Sequence, residues 1–183
     1  MTSIDIVLVL IIAGAFIVGF LWGVIRSLLM FVSWFVVFVL SALLSVPVGD
    51  YLTTQWSNYD THWDHMAAFA ILYFAGLVLS AILLWIGIKG AQGLSRYRLL
   101  DDVVGGAFMA ATAVLGIAGV IVILGSAYRG ALGTTVIGPD WTHQLYQSLL
   151  DSRIGDAINR TLIPALGTLL GPLLPAYIRQ VMV

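Results

Sequence analysis

Four long stretches of this chain carry no charged residue, and most of its charges lie between or after them. The uncharged stretches are residues 6–25, 28–48, 66–88 and 103–128. Each is at least as long as the roughly 20 residues that an α-helix needs to cross about 30 Å of hydrocarbon. The pattern therefore predicts an all-α membrane protein with four transmembrane helices.

The composition of the chain also indicates that most of it lies in lipid. Hydrophobic residues make up 61% of the 183 residues and charged residues only 9%, whereas about a quarter of a soluble domain is charged. The formal net charge of -1 provides no basic surface for nucleic acid. Because the chain has no cysteine, disulfides and thiolate metal sites are excluded.

The charges in the connections predict an orientation. Arg26 and Ser27 alone separate the first two stretches, which indicates a tight helical hairpin. Residues 49–65 contain no lysine or arginine, whereas residues 89–102 contain three basic residues: Lys89, Arg96 and Arg98. Because cytoplasmic loops collect lysine and arginine, we expect Arg26 and the 89–102 connection inside the cell. Both termini are then extracytoplasmic.

The last third of the chain follows a different pattern. Glycines interrupt residues 129–139, and Asp140 or Thr142 can then cap an amphipathic helix. Residues 161–178 are apolar but contain three prolines, which interrupt the backbone hydrogen bonds that lipid requires. We expect a four-span domain over residues 1–128 and an extracytoplasmic tail of short helices over 129–183. The tail would lie at the membrane interface or on partner subunits; a fifth span over 161–178 is the alternative.

Small residues are concentrated on two of the predicted spans. Gly19 and Gly23 end the first span. A stripe follows one face of the fourth, made of Gly105, Thr112, Gly116, Gly119 and Ser126. In lipid, helices associate through close backbone approach at small residues. Two interpretations remain open, packing within one chain and contact between copies in a homo-oligomer.

Some polar residues have two interpretations each. His62 and His65, with Asp60 or Asp64, could hold a metal, or Thr61 or Asp64 could cap the third span. Arg26 could form a substrate or lipid-headgroup site, or it is the cytoplasmic anchor of the hairpin. The charged group before the fourth span could form a gate or a docking surface, or it provides topology charges with Asp102 as a helix cap before Val103. That group contains Arg96, Arg98, Asp101 and Asp102. In each case the second interpretation is favoured, so we predict no metal and no cofactor.

The chain has few residues that could support catalysis or ion-coupled transport. None of the four stretches contains an ionisable Asp, Glu, His, Lys or Arg, and ion-coupled transporters usually need such residues inside the membrane. No nucleophile elbow or phosphate-binding loop is recognisable. We therefore expect a protein without enzymatic activity.

Two short motifs give the chain a resemblance. Gly23 and Arg26 form a Gly-x-x-Arg pattern that closes the first span. Asp101 and Gly105 form an Asp-x-x-x-Gly pattern that opens the fourth, and Asp5 precedes the first. With this order and spacing, residues 3–128 resemble the colicin V production protein family of bacterial inner-membrane proteins.

The resemblance implies a multi-span inner-membrane protein with a role in toxin production or export and in envelope homeostasis. The expected function is that of an oligomeric scaffold or assembly factor, with membrane or periplasmic proteins as partners. A channel or exporter subunit and a structural subunit of a larger complex are the alternatives.

Overall fold

The computed structural model describes residues 3–55, 61–87, 98–128 and 140–182, and these form helices and short connections without a strand. Among them are three helices long and apolar enough to cross a membrane. These are α1 (Ser3–Gln55), α2 (Thr61–Gly87) and α3 (Arg98–Tyr128). The remaining helices are α4 (Asp140–Asp151), α5 (Arg153–Ala157), a π-helical turn (Ile158–Leu162), α6 (Ile163–Leu170), a 3-10 turn (Gly171–Leu173) and α7 (Ala176–Met182).

Helix α1 contains the first two apolar stretches and is broken at Gly23, inside the first stretch and three residues before Arg26. This residue has φ 75° and ψ 176°, and within the described ranges it alone has a positive φ. Glycine adopts such a φ without steric cost because it has no Cβ. The predicted turn at Arg26 and Ser27 is therefore misplaced, since both residues are already helical.

The two segments of α1 lie side by side. Ser27 Oγ donates a hydrogen bond to the Gly19 carbonyl oxygen over 3.4 Å, although residues eight apart in a straight helix are separated by about 12 Å along the axis. Farther along, Ile11 of the first segment and Trp34 of the second line the same cleft. The chain therefore folds back on itself at Gly23.

An aromatic cluster joins the second segment of α1 to α2. Trp34 Nε1 donates a hydrogen bond to the Tyr73 hydroxyl over 2.7 Å. The Trp34 ring stacks on Phe38 with centroids 5.0 Å apart, and Phe38 contacts Phe69. All four side chains are fully buried. Because Tyr73 also lies against Gly119 of α3, the cluster is the point where the three long helices meet.

Prolines shape the C-terminal helices. Pro164 has no N–H to donate to the Arg160 carbonyl. The π-helical turn lies just before Pro164. At the end of this turn the Ile163 N–H donates to the Ile158 carbonyl, five residues earlier, rather than to a carbonyl four residues earlier. Pro172 lies in the 3-10 turn and Pro175 directly before α7. Residues 161–178 thus include the end of the π-helical turn, α6, the 3-10 turn and the start of α7.

These C-terminal helices pack on one end of the long helices. Near the start of α1, Asp5 accepts a hydrogen bond from the Ile154 N–H over 3.5 Å. In the last turns of α1, Ser45 is hydrogen-bonded to Tyr177, and burial raises the pKa of this phenol despite the hydrogen bond. The start and end of α1 therefore lie at the same end of the bundle, opposite Gly23.

The contact of Gly119 with Tyr73 can be tested by Gly119→Ala. The new Cβ would lie 2.7 Å from the Tyr73 hydroxyl oxygen and 2.9 Å from its ring. We expect the free energy of unfolding to fall by about 1–3 kcal/mol, as overpacking a filled core typically does. Unfolding by SDS in mixed micelles, followed by circular dichroism, measures the change.

The matched control is Gly14→Ala, because a Cβ at Gly14 has nothing within 4 Å. Alanine favours the helix over glycine by up to about 1 kcal/mol, so this variant should be at least as stable as the parent. Equal stability of the two variants would contradict the packing described for Gly119.

Candidate functional site

The break in α1 contacts the start of α3. Asp101 Oδ1 accepts a hydrogen bond from the backbone N–H of Val24 over 3.3 Å. Val24 is the first residue after the break, and the first amides of a helical segment have no acceptor within their own helix. The carboxylate of α3 thus caps the second segment of α1, at the end where the helix dipole favours negative charge.

Gly23 is required at this point for two independent reasons. Its φ of 75° is strained for residues with a side chain. A Cβ at this position would also lie 2.7 Å from Asp101 Oδ2. Any other residue would displace the carboxylate that caps the break.

Gly105 brings the backbones of α1 and α3 into direct contact. A Cβ on Gly105 would lie 2.6 Å from the carbonyl carbon of Gly23 and 2.7 Å from the carbonyl oxygen of Gly19. A Cβ on Gly19 would in turn overlap the carbonyl oxygen of Gly105 and Cβ of Met109. Asp101 and Gly105 are one helical turn apart, so they lie on the same face of α3.

The two sequence motifs are therefore the two sides of one contact. The Gly-x-x-Arg motif provides the break in α1 and the backbone that α3 contacts. The Asp-x-x-x-Gly motif provides the carboxylate cap and, at its glycine, a position on α3 without a side chain. We call the contact among Gly19, Gly23, Val24, Asp101 and Gly105 the hairpin clamp. It forms at the end of the bundle opposite the C-terminal helices.

The other charged candidates lie around the clamp or outside the described residues. Arg26 is half-buried in the first turn after Gly23. Helix α3 begins at Arg98, so Asp102 lies inside its first turns and does not precede the helix as predicted. The capping role belongs to Asp101 and is directed to α1. Lys89 and Arg96 lie outside the described residues.

The rest of the small-residue stripe also faces its own chain. Thr112 and Ser126 are buried, and their hydroxyls donate to carbonyls of α3, at Phe108 and Ile123 respectively. Gly119 contacts Tyr73, and a Cβ on Gly116 would lie 4.0 Å from the same hydroxyl. Gly119 therefore packs within one chain, whereas the two hydroxyl hydrogen bonds stay inside α3, and contact between copies remains a prediction.

Two of the residues considered for a metal, Asp64 and His65, lie in the described part of the chain. Asp64 is buried in the first turn of α2, and His65 Nε2 lies 3.1 Å from Asp50 Oδ1. No group of three possible metal ligands occurs in the part of the chain that the structure describes. Asp60 and the side chain of His62 lie outside that part.

The sequence analysis missed the pair Trp34 and Tyr73. Beside it, between the two segments of α1, α2 and α3, lies an apolar cleft of about 330 Å³. A signal was present, because tryptophan and tyrosine in membrane helices are enriched at the two interfaces. These two lie well inside their apolar stretches, where a buried hydrogen bond between them explains their presence.

The capping role of Asp101 predicts an asymmetry between two neighbouring carboxylates. Asp101→Ala should lower the free energy of unfolding by about 1 kcal/mol, the typical cost of losing a helix cap. Asp101→Asn should restore most of the loss because its amide oxygen can accept the Val24 hydrogen bond. SDS unfolding in mixed micelles measures all variants.

Asp102→Ala is the control, since it removes the same charge one residue away from the clamp. Its stability should remain close to that of the parent. If Asp102→Ala and Asp101→Ala lose equal stability, general electrostatics rather than the cap is responsible.

A known protein family matches the part of the chain that contains the hairpin clamp. A family model described as Colicin V production protein matches residues 4–143, a range that includes both motifs of the hairpin clamp and the start of α4. No curated protein and no solved structure matches the chain. Because the family match covers well over half of the sequence, this chain belongs to the colicin V production protein family.

Proposed function

We propose that this chain is a four-span protein of the bacterial inner membrane that acts as a scaffold or assembly factor without enzymatic activity. Family membership and three long apolar helices fit a membrane protein of toxin production. The finer role, in toxin production or export and in envelope homeostasis, is our proposal. So is its action as an oligomer with membrane or periplasmic partners.

The break at Gly23 supports four spans. A straight helix of 53 residues would be about 80 Å long, far more than the roughly 30 Å of hydrocarbon. Folded at Gly23, α1 provides two segments of about 30 Å or more each, and α2 and α3 provide two further spans. The hairpin clamp then lies at one face of the membrane and the C-terminal helices at the other.

The basic residues support the orientation. Arg26 lies beside the clamp, and the connection with Lys89, Arg96 and Arg98 leads into α3 at the same end. Both basic connections would share the cytoplasmic side, as such residues do in bacterial membrane proteins. Residues 129–183 would then form the extracytoplasmic tail.

The observation that carries the scaffold role is the attachment of the tail to the membrane helices at separate places. Asp5 binds the backbone at Ile154, Ser45 binds Tyr177, and Gly125 of α3 lies against the tail. The tail therefore has a defined position on the bundle. Its outer surface carries charged side chains such as Arg153 and the Arg160–Asp156 ion pair, which suit a protein partner in water.

The surface through which copies would assemble does not include the glycine stripe in our proposal, because the stripe packs against its own chain. We propose that copies associate through the tail and the exposed sides of the bundle. This arrangement leaves the hairpin clamp intact in each subunit.

The orientation is tested by cysteine labelling in intact cells, which is clean because the chain has no cysteine of its own. Gln144→Cys and Gln180→Cys, both exposed on the tail, should react with a membrane-impermeant maleimide. Arg96→Cys should react only after the membrane is opened. Labelling of Arg96→Cys from outside would overturn the orientation.

The scaffold role is tested by Gly125→Leu. A Cβ at Gly125 would already lie 2.7 Å from Val181 Cγ1 and 3.4 Å from the Tyr146 hydroxyl, so a leucine should displace α7. We expect the parent to form an assembly of fixed mass in nanodiscs and the variant to lose it. Gly14→Leu, at an exposed site with open space around it, should retain the assembly.

Two results would count against the scaffold. A parent protein that is monomeric and brings no partner through purification would contradict it directly. Ion or solute flux through liposomes containing the parent protein would instead favour the channel alternative.

A further inference from the structure

Helix α4 has three distinct sides. Thr142, Tyr146 and Leu149 are buried against the rest of the chain. Trp141 and Leu145 lie one turn apart on a neighbouring side, with 64% and 37% of their surface exposed. The third side is polar and exposed, and it consists of Asp140, Gln144, Gln147 and Asp151. An exposed apolar side next to a polar one is typical of helices that lie in a membrane interface.

The N-terminal half of α4 lies level with the end of α3. The Tyr128 ring stacks on Tyr146 with centroids 5.7 Å apart, and its hydroxyl is hydrogen-bonded to Thr142. Tyr128 is the last residue of the fourth uncharged stretch. In the proposed arrangement it therefore lies where hydrocarbon meets the headgroups.

The C-terminal half of α4 lies level with the start of α1. Ser148 and Asp151 line a groove of about 350 Å³ together with Ser3, Ile4 and Val7. The first uncharged stretch begins at residue 6, so this groove also lies at the edge of the hydrocarbon. Since both halves of α4 are at the same membrane boundary, the helix runs along the membrane plane.

We propose that α4 lies in the outer headgroup layer of the bilayer, with Trp141 and Leu145 inserted at the lipid boundary and the polar side facing water. This inference rests on the proposed spanning of the membrane by α1 and α3. The exposed apolar side of α4 is then covered by lipid and not by a second protein.

Continuity of the apolar surface supports lipid as the occupant. Ser148 lies on the same side of α4 as Trp141 and Leu145, and across the groove it faces Val7 of α1. Val7 is 51% exposed within the first uncharged stretch, so lipid covers it in the proposed arrangement. A tryptophan at this level matches the aromatic belt of membrane proteins.

Nitroxide labels on single cysteines in the full chain, reconstituted into phosphatidylethanolamine–phosphatidylglycerol liposomes, test the proposal. Trp141→Cys and Leu145→Cys report on the apolar side, and Gln144→Cys and Gln147→Cys report on the polar side. Accessibility to oxygen, which concentrates in lipid, is compared with accessibility to a water-soluble nickel chelate. We expect the oxygen-to-nickel ratio to be several-fold higher at positions 141 and 145 than at 144 and 147.

Equal nickel access at all four positions would overturn the proposal, since α4 would then lie in water. Protection of positions 141 and 145 from both reagents would also overturn it, because a protein surface would cover them. Ile17→Cys, at an exposed site within α1, separates this failure from failure of the spanning arrangement. A label at position 17 should be accessible to oxygen and protected from nickel; nickel access there would contradict the membrane spans themselves.

Discussion

The hydrogen bond from the Val24 N–H to Asp101 is the interaction on which the arrangement of this chain depends. A break in a helix leaves amide groups without acceptors in their own helix, and at Gly23 the neighbouring α3 partly covers these amides. The break at Gly23 therefore needs an acceptor from elsewhere in the protein. Asp101 supplies it from α3, so the turn between two segments of α1 is completed only when α3 is in place. Gly105 then allows the two backbones to touch.

The long apolar helices could be predicted from the sequence, because crossing lipid imposes a length and a lack of charge that can be counted directly. The charge pattern placed the first turn at Arg26, whereas the break is at Gly23. The difference has a physical reason: charge marks where a chain reaches water, and backbone conformation marks where a helix breaks. The partnership of Gly23 with Asp101 could not be read from spacing, since the residues are far apart in sequence and no local rule connects them.

The glycine stripe shows a related limit. In lipid, helices within one chain and helices of different chains associate through the same small residues and the same close contact. A stripe of small residues therefore predicts a helix–helix contact but not whether it lies within one chain or between chains. The structure shows Gly105 against Gly19 and Gly23, and Gly119 against Tyr73, all in one chain. Trp34 and Tyr73 carried a clearer signal, because two polar-tipped aromatic residues inside apolar stretches need each other as hydrogen-bonding partners.

The two ends of the bundle are held by different kinds of contact. At the clamp, the backbones of α1 and α3 touch where Gly19, Gly23 and Gly105 have no Cβ, and the Asp101 carboxylate caps the break. At the other end, Asp5 and Ser45 make polar contacts with the tail, and tail residues such as Ile178 and Met182 are buried in the same apolar core as the long helices. The clamp therefore depends on the absence of side chains at three positions of α1 and α3, whereas the position of the tail depends on side chains that fill the core.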